Sequence, residues 1–272
     1  MTDTSAADLV EQNKRHWDER VPINAASSFY DLDGFRAGDE DFDRFQLDEV
    51  GDVDGLDLVH LQCHIGLDTL SWARRGARVS GLDFSAPAIE AAAELADEIG
   101  LADRATFVSA DVFDAVDVLG AAAFDLVYTG MGALMWLSDI QRWARTVAGL
   151  LRPGGRLYLV EMHPVTDVLD DATGTTVAGD YFARDARTYE LRGSYADWNA
   201  QTTHNTVTEW HHTLGDVVSA VAGAGLRIEF VHEHDVIPFR RYGTLVADGP
   251  RFRYPEPSRR LPLLYSLAAT AV

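Results

Sequence analysis

The sequence predicts an α/β fold built on a doubly wound, mostly parallel sheet. Between about residues 58 and 160, short apolar segments alternate with helical segments, and most apolar segments end in a loop rich in polar residues or glycine. Strands separated by helices of this length imply right-handed crossovers and parallel neighbours. A chain of 272 residues that is 47% hydrophobic can form one large domain with additions.

The expected core elements follow one another in a regular order. Strands are expected at 58–61, 77–82, 105–110, 124–128 and 156–160, with helices at 68–75, 85–99 and 140–151 between them. Ser85 is a suitable N-cap, Pro87 suits the first helical turn, and Gly100 ends that helix.

Four regions are expected along the chain. Residues 1–57 form an N-terminal cap with a helix near 9–19, and residues 58–163 form the core. Residues 164–212 are polar and aromatic, so we expect a lid or an antiparallel hairpin with strands near 188–196 and 202–210. Residues 213–272 supply a last helix, opened by Thr213 with Asp216, and closing strands at 226–232 and 263–270.

Charge and composition limit the partners. The formal net charge of −20 argues against a nucleic-acid partner, because phosphate binding needs a basic surface. No apolar run reaches the roughly 18 residues of a membrane span, and residues 1–14 lack the pattern of a signal peptide. A single cysteine suits a reducing compartment, so we expect a cytoplasmic protein without a membrane partner. Lys14 is the only lysine, which fits a salt-adapted cytoplasm and a GC-rich genome equally.

The loops after the strands are the expected ligand site, because an open parallel sheet binds ligands at the carboxyl ends of its strands. Asp83 follows the second strand and could accept both hydroxyls of a ribose from a solvent-facing position. Asp111 follows the third strand and could accept from an adenine amino group. Either carboxylate could instead only cap the helix after it.

In these loops the sequence resembles the class I S-adenosylmethionine-dependent methyltransferases. That family's first loop runs acidic-x-Gly-x-Gly-x-Gly, and here only Gly66 is kept, with Gln62 and His64 in place of the other glycines and His60 in place of the acid. The loop is similar to that of a bacterial small-molecule subset, His-Leu-Gln-Cys-His-x-Gly-Leu-Asp-Thr. Segments 81–85, 109–112, 124–128 and 150–155 match the family pattern in the same order.

The resemblance implies a seven-stranded Rossmann-like methyltransferase sheet, with S-adenosylmethionine as cofactor and a small molecule as methyl acceptor. The cofactor-binding residues implied are Gln62, Cys63, His64, Gly66, Asp83, Phe84, Asp111, Val112, Thr129 and Gly130. Cys63 is expected to be a packed loop residue and not a nucleophile, since no base can be paired with it.

The acceptor pocket is expected after the fifth strand, under the two flanking segments. Aromatic and acidic side chains there are the candidate acceptor contacts: Trp17, Tyr30, Trp136, Glu161 and Tyr181. His163 is the candidate general base. We expect oxygen or nitrogen, not carbon or sulfur, as the methylated atom, and a homodimer is a further possibility.

Three alternatives remain open. A metal site at His211, His212, His232 and His234 has no supporting ligand spacing, and we expect no metal. A nicotinamide-dependent oxidoreductase needs the glycine turn that Gln62 and His64 interrupt. A catalytically silent protein that binds S-adenosylmethionine for regulation would keep the same cofactor loop.

Overall fold

Eight α-helices and twelve β-strands form the part of the chain that a computed structural model describes, residues 5–40, 42–258 and 260–272. The helices are α1 Ala6–Ala25, α2 Leu32–Ala37, α3 Arg44–Val50, α4 Leu67–Arg74, α5 Ala86–Glu98, α6 Ala115–Leu119, α7 Ile140–Leu150 and α8 Leu214–Gly223. The strands are β1 Asp57–Leu61, β2 Arg78–Asp83, β3 Ala105–Ser109, β4 Phe124–Thr129, β5 Leu151–Met162, β6 Arg187–Glu190, β7 Thr206–Glu209, β8 Leu226–His234, β9 Val236–Ile237, β10 Val246–Asp248, β11 Arg251–Arg253 and β12 Leu264–Ala271. Short 3-10 helices lie at Val112–Asp114, Leu134–Trp136 and Pro164–Val168.

A seven-stranded sheet forms the centre of the molecule, in the order β3-β2-β1-β4-β5-β12-β8. The five strands from β1 to β5 pair in parallel, and β12 pairs antiparallel with both β5 and β8. This confirms the expected doubly wound, mostly parallel sheet. The strand order reverses between β1 and β4, so the loops after these two strands meet at the switch point where such sheets bind ligands.

Helices cover both faces of the sheet, and the alternation along β5 shows how. Leu157 and Leu159 face the cluster that holds Trp143 of α7, whereas Tyr158 and Val160 face the cluster of α4 on the other side. Because strand side chains alternate between the faces, β5 is apolar on both. The carboxyl end of β5 therefore follows a buried run of residues, 157–161.

The elements outside the parallel core differ most from expectation. Helix α1 is longer than the expected segment 9–19, and the N-terminal cap contains two further helices, α2 and α3, for which no helix is expected. The expected hairpin is present as β6 paired antiparallel with β7, with shorter strands. A small sheet of β9, β10 and β11 between β8 and β12 is unanticipated, because strands of two or three residues carry no alternation signal.

Buried polar groups join α1 to the hairpin segment. The Arg20 guanidinium donates to the carbonyls of His204 at 3.0 Å and Leu191 at 2.8 Å. Asn13 pairs with the backbone of Thr208, donating at 2.7 Å and accepting at 2.8 Å. We call α1 with residues 187–209 the α1–hairpin unit.

None of the helices in the described ranges is both long and apolar enough to cross a membrane.

Replacing Asn13 with alanine is expected to destabilise the protein by about 2 kcal/mol, because the buried N–H and C=O of Thr208 would lose their partner. Chemical denaturation measures the change. Gln12→Ala is the matched control on the same helix, since the Gln12 contact with Thr208 Oγ1 is 3.5 Å long and contributes little. Equal stability of the two variants would contradict the proposed join.

Candidate cofactor and acceptor site

The loop after β1 has positive φ values typical of glycine at three positions, although only one of them, Gly66, is a glycine. Gln62 has φ 59°, His64 φ 50° and Gly66 φ 80°. A positive φ is uncommon and costly for residues other than glycine, so other contacts must hold this loop. Gln62 Nε2 donates to the Ala133 carbonyl at 2.9 Å, and His64 N donates to Asp83 Oδ2 at 2.9 Å.

Gly66 and Cys63, the other two predicted cofactor-binding residues of this loop, are close-packed. Gly66 is the N-cap of α4, and a Cβ there would lie 2.8 Å from Ala92 Cβ. Cys63 is buried, and its surroundings raise the pKa of the thiol well above the ordinary value, mainly by desolvation. A buried thiol of this kind is a packing residue and a poor nucleophile.

Asp83 lies at the end of β2, beside this loop. The sequence suggests a solvent-facing position for Asp83, but the residue is buried. Its exposed fraction is only 6%. Oδ2 accepts from His64 N and Oδ1 from Ser85 N, each at 2.9 Å. Burial raises the pKa of the carboxyl to about 6, and the backbone N–H donors oppose that rise. A carboxylate oxygen accepts two hydrogen bonds, so the group keeps capacity for a ribose.

The loop after β3 contributes less obvious ligand groups. Asp111 Oδ1 accepts from Phe113 N at 2.8 Å and caps the 3-10 helix Val112–Asp114. Val112 is buried in the sheet core, and half-buried Phe84 offers its carbonyl to Ser109 Oγ at 3.4 Å. The structure therefore places Asp111 in a capping role beside the site.

The loop after β4 faces the β1 loop across the switch point. Thr129 is fully buried. A Cβ at Gly130 would lie 3.3 Å from both His60 Nε2 and Asp68 Oδ2, so little more than a glycine fits there. Burial lowers the pKa of His60 to about 3, and its Nδ1 lies 2.8 Å from Thr69 Oγ1. The residue that replaces the family's acid is thus a neutral, buried histidine.

Glu161 ends β5 with a fully engaged carboxylate. It accepts backbone hydrogen bonds from Gly132, Ala133, Leu134 and Met162 at 2.6, 2.8, 2.9 and 2.7 Å. Burial raises its pKa to about 7, against the effect of those four donors. The expected acceptor contact is therefore bonded to the protein's own backbone.

His163 does not present a free base. Its Nδ1 accepts from Val165 N at 3.2 Å, and its Nε2 lies 3.0 Å from Glu233 Oε1. A neutral ring that accepts at Nδ1 carries its proton on Nε2, so no lone pair is left for an acceptor. Desolvation also lowers the pKa of His163.

Aromatic rings cover the β1 loop. Tyr30 stacks on His64 at a centroid distance of 5.4 Å, and Trp17 packs edge-on against His64 at 5.7 Å and against Trp136 at 5.3 Å. The Tyr30 hydroxyl also bonds to that of Tyr195, which lies in the α1–hairpin unit. Three of the five expected acceptor contacts therefore lie in one cluster.

Tyr181 lies apart from that cluster. It packs edge-on against Phe182 and His211, and its hydroxyl accepts from Leu214 N at 3.3 Å at the start of α8. Asn24 is in the cluster although sequence analysis does not single it out: it contacts His64 Nε2 through Nδ2 at 3.2 Å and accepts from Ser194 Oγ at 2.5 Å. An isolated asparagine on a polar helix gives no signal that would reveal this position.

Three of the nine buried polar side-chain atoms that have no hydrogen-bond partner in the described residues lie beside these loops. Gln62 Oε1 and His64 Nδ1 lie in the loop after β1, and Thr129 Oγ1 lies at the end of β4. A buried unsatisfied polar atom is costly and calls for a ligand or water. Because Asn24 donates to His64 Nε2, the proton of the ring lies on Nδ1, so the three atoms supply an acceptor, a donor and a hydroxyl. Such a set fits the ammonium and carboxylate of an amino-acid moiety.

Comparison with known proteins finds a family model that matches part of the chain. Residues 59–157 match a family model for a methyltransferase domain. A curated relative, a ubiquinone biosynthesis O-methyltransferase of Cupriavidus pinatubonensis, is 27% identical over 157 residues, which are 58% of this chain. The chain spans 58% of the length of that relative.

Solved structures share the fold over most of the chain. One is an S-adenosylmethionine-dependent methyltransferase from Mesorhizobium loti, 23% identical, with a TM-score of 0.59 over 91% of this chain and 99% of that one. Another from Listeria monocytogenes is 19% identical, with a TM-score of 0.60 over 84% and 97% of the two chains. The likeness to these structures confirms the Rossmann-like sheet that the sequence predicts.

The other histidines lie in separate places. His232 Nδ1 contacts Glu49 Oε1 at 2.7 Å, and His234 Nε2 contacts Ser266 Oγ at 3.0 Å. His211 and His212 contact the backbone carbonyls of Tyr181 and Leu137. Over the described ranges no group of three or more metal-binding side chains is found.

Asp83 gives the domain a specific pH dependence. Its folded pKa of about 6 lies above the ordinary 3.8, so it favours the unfolded state increasingly as pH rises through that window. The stability of wild type minus that of Asp83→Asn should fall by about 2–3 kcal/mol between pH 4 and 7, as measured by denaturant titration.

Asp57→Asn is the matched control for this experiment. Arg78 and Arg152 lower the pKa of Asp57, so its difference curve should rise with pH over the acid range. A difference that rises with pH for Asp83 as well would contradict the buried, desolvated carboxylate.

Proposed function

We propose that this protein transfers a methyl group from S-adenosylmethionine to an oxygen or nitrogen atom of a small molecule. The observation that carries the proposal is the convergence of unpartnered buried atoms and the Asp83 carboxylate on the loops of the switch point. The methyltransferase domain match and the sheet order support it.

The cofactor's two polar ends have counterparts in this chain. Asp83 would accept the ribose hydroxyls, as an acid at the end of the second strand does in this class of sheet. Gln62 Oε1 would accept from the ammonium of the methionine moiety, and His64 Nδ1 would donate to its carboxylate. When bound, the cofactor supplies a sulfonium-bound methyl group with a good leaving group.

The acceptor would be held by the aromatic cluster above the β1 loop. Trp17, Tyr30 and Trp136 supply apolar walls at small conformational cost. The bonds of Arg20 and Asn13 make α1 and the hairpin act together as the cover that excludes water. The segments 1–57 and 164–212 would in this way determine which acceptor is used.

Alignment of the acceptor, more than proton removal, is the protein's part in catalysis. The lone pair of His163 Nδ1 accepts from Val165 N, so the proton of the neutral ring lies on Nε2, and this argues against the use of His163 as a base. Holding two reactants in line supplies a large part of the barrier reduction in bimolecular transfers. An acceptor whose nucleophilic atom is already deprotonated at neutral pH would need no further group.

Calorimetry with S-adenosylmethionine, S-adenosylhomocysteine and NAD tests the proposal. Both sulfur cofactors should bind and NAD should bind far more weakly. Asp83→Asn should weaken S-adenosylhomocysteine binding by about 1.5–3 kcal/mol, the scale of hydrogen bonds to a charged group. Asp57→Asn, at the other end of the neighbouring strand, should leave it unchanged. NAD binding more tightly than both sulfur cofactors would overturn the proposal.

Turnover separates an enzyme from a silent cofactor-binding regulator. Incubation of the protein with labelled S-adenosylmethionine and a panel of small phenols, alcohols and amines should release S-adenosylhomocysteine with at least one acceptor. Tight cofactor binding with no release across the panel would favour the regulator.

A further inference from the structure

Glu161 holds an uncommon position for a carboxylate at a ligand site. Oε1 accepts from Gly132 N and Met162 N, and Oε2 accepts from Ala133 N and Leu134 N. An ionised carboxylate has about four acceptor positions, so all of them are used. Glu161 is 6% exposed, and its backbone in β5 is paired with Tyr265 of β12. The Glu161 carboxylate is therefore placed to hold a loop in position and not to contact a substrate.

The loop that Glu161 holds connects the parts of the candidate site. The Ala133 carbonyl accepts from Gln62 Nε2 at 2.9 Å, which ties the loop to the β1 loop. Trp136 packs against Trp17 of α1. The Met135 carbonyl accepts from Trp210 N at 2.9 Å, just after β7. One loop therefore contacts the cofactor side, the aromatic cluster and the hairpin.

We infer that Glu161 is a positioning residue, which fixes residues 132–136 so that Gln62 and Trp136 reach cofactor and acceptor together. The roles of Gln62 and Trp136 toward cofactor and acceptor rest on the proposed function. The fixing of residues 132–136 by Glu161 does not depend on it. The argument is geometric: three consecutive N–H groups point at one carboxylate, and the next residues carry the side chains that form the site.

Protonation of Glu161 gives the hold a pH dependence. A proton on either oxygen would face a backbone N–H, so the ionised form is the one that binds the loop. The groups facing the same region are Tyr265 on β12, Asp167 in the 3-10 helix after β5, and His212 after the hairpin. Burial raises the pKa of Glu161 to about 7. The contribution of Glu161 to the free energy of unfolding therefore falls as pH rises from 4.5 to 7. Over the same range the loop becomes better held, because the ionised form is the one that binds it.

Glu161→Gln tests the inference, because the amide keeps the shape but turns two donor hydrogens toward backbone N–H groups. Hydrogen exchange of the peptide containing residues 131–136 should speed up by about tenfold or more in the cofactor-free variant. S-adenosylhomocysteine should bind about tenfold more weakly, the effect of one lost hydrogen bond.

Glu49→Gln is the matched control. Glu49 is a half-buried carboxylate that accepts from the Tyr158 hydroxyl and contacts His232, and it has no hydrogen bond to residues 132–134 in the described structure. This variant should change neither the exchange of residues 131–136 nor the affinity for S-adenosylhomocysteine.

Each outcome separates the inference from the proposed function. Unchanged exchange of residues 131–136 in Glu161→Gln overturns the positioning role, whatever the affinity. If exchange speeds up but wild type binds no S-adenosylhomocysteine, the positioning role stands and the proposed function fails. If Glu161→Gln does not fold, hydrogen exchange in wild type decides: the amides of residues 132–134 should be protected by their bonds to the Glu161 carboxylate, and exchange of these amides at the intrinsic rate overturns the inference.

Discussion

The loops at the switch point depend on the hydrogen bonds of one carboxylate. Residues 132–134 have three consecutive N–H groups that donate to a single carboxylate at the end of β5. Glu161 is the side chain that satisfies all three, from a strand buried on both faces. Buried N–H groups without a partner cost too much to be left so, and the path of this loop therefore requires the acid.

Buried polar groups that pair with backbone groups also hold α1 against the hairpin segment. Helix α1 packs with asparagine, histidine and arginine inward, and each finds a backbone partner in the hairpin segment. A cover held by polar groups is specific in position, since each group must meet one partner. It is also easier to open than an apolar core, because water can replace each bond. Such a cover suits a site that must admit a ligand and then close.

The parallel core could be predicted from the sequence because its signals are local. Strands and helices alternate at regular lengths, Ser85 does cap α5, and the Thr213–Asp216 capping box does open α8. Asp83 and the β1 loop follow from where the strands end. That Asp83 is buried could not be predicted, because α1, far away in sequence, contributes to its surroundings: the charge of Asp18 is one of the groups that raise its pKa.

The length of α1 and the contacts of Glu161 escaped prediction, although the helix and the hairpin themselves were expected. The buried side of α1 is polar, so no apolar periodicity marks its length, and Pro22 within its last turns suggests an earlier end. The role of Glu161 depends on a loop folding back over β5, which no spacing encodes. The φ values of Gln62 and His64 show the converse: the backbone keeps the loop geometry of glycine although the residues have changed.

A crystal structure with S-adenosylhomocysteine bound tests the account most directly. The account predicts ribose hydroxyls about 3 Å from the Asp83 carboxylate, the amino-acid end beside Gln62 and His64, and the four N–H bonds of Glu161 intact. A nucleoside bound away from Asp83, or a Glu161 carboxylate turned from residues 132–134 toward the ligand, would contradict it.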